Sequence, residues 1–222
     1  GGVLIEGIHL ASNGFKEIDG GSSAGFVKHE VMFKGRLNTA LDRPTISAWE
    51  LKLGYARERS NETYLGLSNE DFQNTPTRRY AASQLGLMKW NRTQIELAWQ
   101  LQAGEDFELR AVGYYHGFKR AWRKVSGFAG GPALRDILEH PSAGQSAVYF
   151  AILRGEEDSL SANQTLQLGT NDRRYHSYGG IATASWRARF RKLESHLEVG
   201  IRLHGDQISR HHSEEGFLMQ QG

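Results

Sequence analysis

The residues best placed to do chemistry are cations set among aromatics: Arg78-Arg79, Lys119-Arg120, Arg123-Lys124, Arg173-Arg174 and Arg210, with Tyr64, Tyr80, Trp122 and Tyr149 interleaved. A guanidinium fork matches the two oxygens of a carboxylate or phosphate, so loops lined this way attract an anionic ligand. The other readings are contact with outer-leaflet lipopolysaccharide and plain solvated charge. Arg78, Arg79, Arg120, Arg123, Arg173 and Arg174 are the candidate residues along a ligand path.

Covalent chemistry finds less support. Gly21-Ser22-Ser23-Ala24-Gly25 has the spacing of a nucleophile elbow, but that motif needs a strand, a sharp turn and a helix, and here a strand begins at Phe26. His204, His211 and His212 fit neither i, i+4 helical spacing nor the zinc-protease pattern; His204 falls on an expected strand and the other two open an expected loop. No metal ligands are assigned, no covalently bound cofactor is expected, and the chain is not read as an enzyme. With Cys at 0, disulfides, thiolate zinc sites and thiol nucleophiles are all excluded.

The elements that must carry these residues are strands. From Phe26 to Leu37 one phase reads Val27, His29, Val31, Phe33, Gly35, Leu37, a period of two rather than 3.6. Thr45 to Ala56, Asn91 to Gln102 and Ser195 to Asp206 repeat it. Their apolar phases hold no Asp, Glu, Lys or Arg. The opposite phases carry Lys28, Glu30, Lys34, Arg36, Glu50, Lys52, Arg92, Glu96, Glu198, Arg202 and Asp206, in a chain that is 23% charged. Val3 to Ser12, Phe107 to Phe118 and Tyr175 to Phe190 are less regular strands; in the first, Glu6 shares a phase with Leu4, Ile8 and Leu10.

Tight turns are expected at Ala40 to Pro44, Ala103 to Asp106 and Arg191 to Leu193. Long connections are expected at Asn13 to Gly25, Glu58 to Met88 and Lys119 to Arg174, with another from His211. Successive connections of a meander fall on opposite ends, so one end carries tight turns and the other elaborate loops. Two short loop helices are expected, one capped by Ser68 ahead of Asp71 and one starting at Pro132.

Composition sets limits on the whole. Across 222 residues, Lys+Arg 27 against Asp+Glu 25 gives +2, too balanced for a nucleic-acid binder. Gly 26 and Pro 4 suit many turns between long paired strands. A mean hydropathy of -0.54 excludes a transmembrane helix but not membrane strands, whose lumen-facing half is polar. The fold class is therefore all-β: an antiparallel up-and-down meander forming a partial wall of a transmembrane β-barrel with long extracellular loops. Apolar phases flanked by Trp49, Tyr55, Trp99, Tyr115, Trp186 and Phe190 suit interfacial girdles. The rival reading is a soluble or surface-attached β-rich module, such as an adhesin, whose uncharged face is its core. An outer-membrane lipase would need Ser, His and an acid to converge.

The loops resemble those of TonB-dependent outer-membrane receptors of the ferric-citrate (ferric dicitrate) transporter type. The likeness is carried by Gly2-Val3-Leu4-Ile5-Glu6-Gly7-Ile8-His9-Leu10 and Gly14-Phe15-Lys16-Glu17-Ile18-Asp19-Gly20-Gly21, then Glu62-Thr63-Tyr64-Leu65-Gly66-Leu67, Asp71-Phe72 and Pro76 with Arg78-Arg79-Tyr80. Further on lie Gly169-Thr170-Asn171-Asp172-Arg173-Arg174-Tyr175 and Ser213-Glu214-Glu215-Gly216-Phe217. Thr77 departs from the pattern, where an aromatic residue is expected. The resemblance implies about seven strands of a parent barrel of about 22 closed by a plug, with residues 1–222 as a section of the barrel domain lacking plug and energy-coupling box. It further implies a bacterial outer-membrane location, a ferric siderophore or ferric citrate as transported ligand, and partnership with the TonB energy-coupling complex and outer-membrane lipid.

Overall fold

Every alternating segment forms a strand, and the strands pair antiparallel in chain order. The computed structural model describes residues 1–39, 42–191 and 193–220. Ala40 and Leu41 of the first expected turn, Lys192 of the third, and Gln221-Gly222 lie outside the described residues. The main sheet has seven strands: β1 (Gly2–Ser12), β3 (Phe26–Asn38), β4 (Thr45–Asn61), β6 (Leu87–Ala103), β7 (Phe107–Phe128), β8 (Leu166–Phe190) and β9 (Leu193–Phe217). Two-residue strands β2 (Glu17–Ile18) and β5 (Arg78–Arg79) pair in parallel and tie the first long connection to the second. β1 and β9 are the edges of this sheet, which is open and not a closed barrel.

Register decides which side chains share a face. Val3 lies opposite Gly35, Gly35 opposite Leu51, Leu51 opposite Leu97, Leu97 opposite Gly113, Gly113 opposite Gly180, and Gly180 opposite Leu203. The apolar phases thus merge into one continuous face. β1 joins it through Val3 and Ile5, while Glu6 goes to the polar side with Leu4, Ile8 and Leu10, which resolves the irregular phase of that strand.

The strands are longer than the alternation indicated, and the excess lies almost entirely at the loop end. β4 runs on from Ala56 to Asn61, β7 from Phe118 to Phe128, and β9 from Asp206 to Phe217, while β8 starts at Leu166 rather than Tyr175. Beyond Tyr55, Gly117 and His176 the formerly uncharged face carries Arg57, Lys119 and Arg174, so both faces are polar and period two loses its contrast. Several residues placed in loops by their sequence therefore sit on strands, including Arg120, Arg123, Arg173, Arg174, His211 and His212.

The packed core lies at the loop end and not between layers of sheet. Leu65, Tyr80 and Ala82 of the second long connection and Ile137, Tyr149, Phe150, Ile152 and Leu153 of the third close on Phe128, Leu166 and Leu168 from the tops of β7 and β8. Ser68 caps helix α1 (Asn69–Asn74), its hydroxyl accepting from the Asp71 amide at 3.2 Å as the capping pattern requires. Helix α2 (Leu134–Glu139) starts after an extended Ala133, two residues later than the Pro132 start, and the preceding Gly131, at φ +102, lets the chain pass close to the Tyr149 ring. Helix α3 (Gly144–Arg154) had no sequence signature. Tyr149, Phe150, Ile152 and Leu153 bury one face of it, but Ala147, Val148 and Ala151 make the rest of the helix apolar as well, so no single apolar stripe marks it.

Helix α3 ends at Gly155, φ +77, whose amide reaches the Ala151 and Ile152 carbonyls. A side chain there would face the left-handed penalty of about 1–2 kcal/mol, and its Cβ would lie 2.8 Å from the Ala81 methyl. Gly155→Ala is accordingly expected to raise hydrogen exchange across α3 while leaving the amides of β4 and β6 protected.

By contrast, the uncharged sheet face is bare. Leu97 is 47% exposed, Val199 56% and Leu203 70%, and no second layer covers them among the described residues.

Candidate functional site

The polar face at the loop end brings three arginines into one row. Arg120 of β7 is directly opposite Arg173 of β8, which is directly opposite Arg210 of β9. Facing side chains on neighbouring strands are about 5 Å apart at Cβ, a spacing at which like charges destabilise a sheet. Arg173 is partly anchored, donating through Nε to Asn171 Oδ1 at 2.9 Å and through Nη1 to the Tyr175 hydroxyl at 3.5 Å. Arg120 is not: its Nε is out of contact with solvent and has no hydrogen-bond partner.

An aromatic ring lies against one cation of the row and one beside it. The Arg120 guanidinium lies 5.7 Å and the Lys124 ammonium 4.8 Å from the Trp122 ring, against which Tyr64 of the second long connection packs at 4.4 Å. Trp90, Phe118 and Tyr175 continue across β6, β7 and β8 with centroids 5.9 Å apart at each step. The Tyr175 hydroxyl reports how closely the charges converge. Its pKa is held below the usual tyrosine value, first by the Arg173 hydrogen bond and then by the charges of Arg173, Arg120 and Arg210. Such a row is suited to holding a multivalent carboxylate or phosphate, and it contains no nucleophile.

The other candidate arginines do different work. Arg78 is neutralised inside the loop cap by Asp19 at 3.0 Å and Asp71 at 3.4 Å. Asp71 also accepts from the Tyr80 hydroxyl at 2.7 Å, and that oxygen in turn accepts from the Ser68 amide at 2.9 Å. Arg79 folds back onto the Pro76 and Arg78 carbonyls. Arg123 Nε donates to the Leu85 carbonyl at 2.8 Å, and both Arg123 and Arg174 project from the side opposite the arginine row. Of the six residues expected along a ligand path, only Arg120 and Arg173 come together. Arg210 is the partner missing from that set. Carrying the Ser195 to Asp206 alternation onward puts it in phase with Arg202, His204 and Asp206, which is the signal that identifies it.

Nearer the turn end the polar face has a recess of about 610 Å³ bordered by Glu96, Arg110, Tyr114, His116, Arg202 and His204. His116 Nε2 lies 3.1 Å from Glu96, His204 Nε2 lies 2.9 Å from Asp206, and the Tyr114 hydroxyl lies 2.6 Å from His204 Nδ1. His211 and His212 do not join this group. Both lie on β9, opposite Asp172 and Asn171, and point to opposite faces. Among the described residues no three His, Asp or Glu side chains are grouped to hold a metal ion. Ser23, at the centre of the elbow-like pentapeptide, donates to the Asn13 carbonyl at 3.1 Å and accepts from the Gly25 amide at 3.1 Å, a turn contact followed by strand β3.

No family model, curated protein or solved structure matches this chain.

Proposed function

We propose that the chain forms part of the wall of a bacterial outer-membrane β-barrel receptor of the TonB-dependent kind, whose loop end captures an anionic ferric chelate such as ferric citrate or a siderophore. The observation that carries this reading is the bare, charge-free face and its limits. On β4 the uncharged run extends from Thr45 to Tyr55. At about 3.4 Å per residue that is about 34 Å of strand, or about 25 Å of height at the tilt of a membrane barrel, which matches the apolar band of such walls.

Rings border the band: Phe107 and Trp186 at 5.0 Å near the turn end, Tyr55, Tyr115 and Tyr178 toward the loops. On β4, β7 and β8 the run ends at one register row, at Tyr55, Gly117 and His176. Unpaired edges cannot stay open in hydrocarbon, so β1 and β9 need strand partners in the membrane.

The arginine row supports an anionic cargo, since stacked cations with an unpartnered buried Nε are stabilised by a carboxylate-rich ligand. The iron is substrate, and no covalent step is involved. Energy from the inner membrane would arrive through a plug on the polar side of the wall.

The absence of cysteine makes the test direct. Single cysteines at Leu97 and Val199, and at Gln100 and Arg202 on the other face, are labelled with a nitroxide in the membrane-embedded protein. The expected result is strong collision with oxygen and little with a water-soluble nickel chelate at the first two positions only. Equal nickel accessibility on both faces, or inaccessibility of Leu97 and Val199 to both reagents, would sink the membrane reading and favour a sheet covered by protein.

A further inference from the structure

We infer that Tyr114 and His204 form a two-donor site for ferric iron in the recess of the polar face, with oxygens of a carboxylate carrier completing the coordination. The site lies apart from the arginine row, and it stands on the geometry of the recess whether or not that face lines a barrel. Tyr114 lies opposite Gly179 and Gly179 opposite His204, so phenol and imidazole are two strands apart and meet because no side chain stands between them. A Cβ at Gly179 would lie 2.7 Å from the Tyr114 hydroxyl.

The hydrogen bonds around the imidazole are those of a metal ligand. Asp206 accepts from His204 Nε2 at 2.9 Å, and an ionised carboxylate can only accept, so in the neutral ring the lone pair is on Nδ1, 2.6 Å from the Tyr114 hydroxyl. His116 repeats the arrangement beside the same phenol. Its Nε2 is 3.1 Å from Glu96, its ring 5.6 Å from that of Tyr114, and its Nδ1 makes no hydrogen bond among the described residues. A carboxylate behind an imidazole fixes the tautomer and raises the basicity of the far nitrogen, which is how metal-binding histidines are held. Tyr115 and His176 supply the contrast: hydroxyl and Nδ1 are 2.8 Å apart on the opposite face, and no carboxylate holds His176 among the described residues.

Two donors bound to one ion at about 2.0–2.1 Å lie about 3 Å apart. A small opening of the Tyr114–His204 contact therefore admits an ion in place of the phenol proton, which leaves to water. The phenolate so formed is a hard anionic donor, and its formation favours a strongly Lewis-acidic ion, ferric iron rather than zinc. Arg110 and Arg202 at the border of the recess oppose a bare cation. They accommodate one that arrives with carboxylates, whose oxygens take the remaining positions.

The test uses the full-length protein in mild detergent with ferric nitrilotriacetate as the probe, read by the visible phenolate-to-iron charge-transfer band. The wild-type protein is expected to develop this band, Tyr114→Phe to lose it and Tyr115→Phe to keep it. Asp206→Asn retains both donors but no longer holds the imidazole by charge, and should weaken iron binding roughly 10- to 100-fold with the band unchanged in position. Heat-modifiable mobility shows that each variant is folded. Gallium nitrilotriacetate should compete, and zinc should not. A folded wild-type protein without the band, a band that survives Tyr114→Phe, wild-type affinity in Asp206→Asn, or equal competition by zinc would overturn the assignment and leave the Tyr114–His204 bond as a bridge between strands. The nitroxide result bears on the membrane reading alone, so either can fail without the other.

Discussion

Replacing Leu97 by Lys is expected to cost about 2–4 kcal/mol of membrane-embedded stability, and Val199→Lys the same. Leu97 lies midway along the uncharged run of β6, between Asn91 and Ala103, and Val199 midway along the apolar part of the same face on β9, between Leu193 and Gly205. Both are about half exposed, so neither substitution meets a steric barrier within the sheet. The cost comes from placing an ammonium in hydrocarbon. Gln100→Lys and Arg202→Lys, on the polar face, should leave assembly unchanged. Thr45→Lys, at the turn-end margin, should cost only about 0–1 kcal/mol because penalties fall off toward the interfaces. Urea unfolding in lipid vesicles and heat-modifiable electrophoretic mobility measure both quantities. Equal tolerance on the two faces would remove the membrane wall, and a penalty independent of depth would indicate a covering layer of protein.

The same apolar contrast explains what could be read from the sequence. Strand order, the sided placement of short and long connections, and membership of the uncharged face follow from period two, because each face met a different environment along Thr45 to Ala56 and Asn91 to Gln102. Above the band both faces are polar, and the signal vanishes although pairing continues unbroken to Phe128 and Phe217. Val3 to Ser12 was ambiguous for a related reason: Leu4, Ile8 and Leu10 put apolar groups on the polar face, and only the register with β3 separates them from Val3 and Ile5. Helix α3 was hidden because its run from Ala147 to Leu153 is apolar on the exposed side as well as the buried one.

The site was legible in residue type but not in grouping. Adjacent pairs such as Arg78-Arg79 and Arg173-Arg174 look like double cations in sequence, yet on a strand neighbours point to opposite faces. Each pair therefore divides between two surroundings. Arg173 joins Arg120 and Arg210, and Arg174 faces outward with Lys119. Which cations are already neutralised also depends on distant chain. Arg78 is held by Asp19, a contact fixed by the parallel pairing of β2 with β5, which no local spacing encodes.

Arg173→Gln separates a binding cation from a structural one because its two effects have opposite signs. Arg173 is the middle of the row, facing Arg120 on one side and Arg210 on the other. Removing its charge relieves two like-charge contacts of roughly 0.2–1 kcal/mol each, partly offset by loss of the bond to Asn171. The ligand-free protein should hold its stability or gain slightly. Ligand capture should weaken by roughly 10- to 100-fold, since hydrogen bonds to charged groups are worth about 1.5–3 kcal/mol. Arg78→Gln provides the contrast. It leaves Asp19 and Asp71 facing each other without a cation, so the loop cap should loosen and stability should fall whether or not ligand is present. Equilibrium dialysis with radiolabelled ferric citrate and with other ferric chelates gives the affinities, and urea unfolding without ligand gives the stabilities. If Arg173→Gln destabilises the ligand-free protein while every chelate binds as before, the row is structural and the anion is held elsewhere. If affinity falls for one chelate alone, that chelate is the cargo, because a loss shared by all would reflect only the general field of the cations.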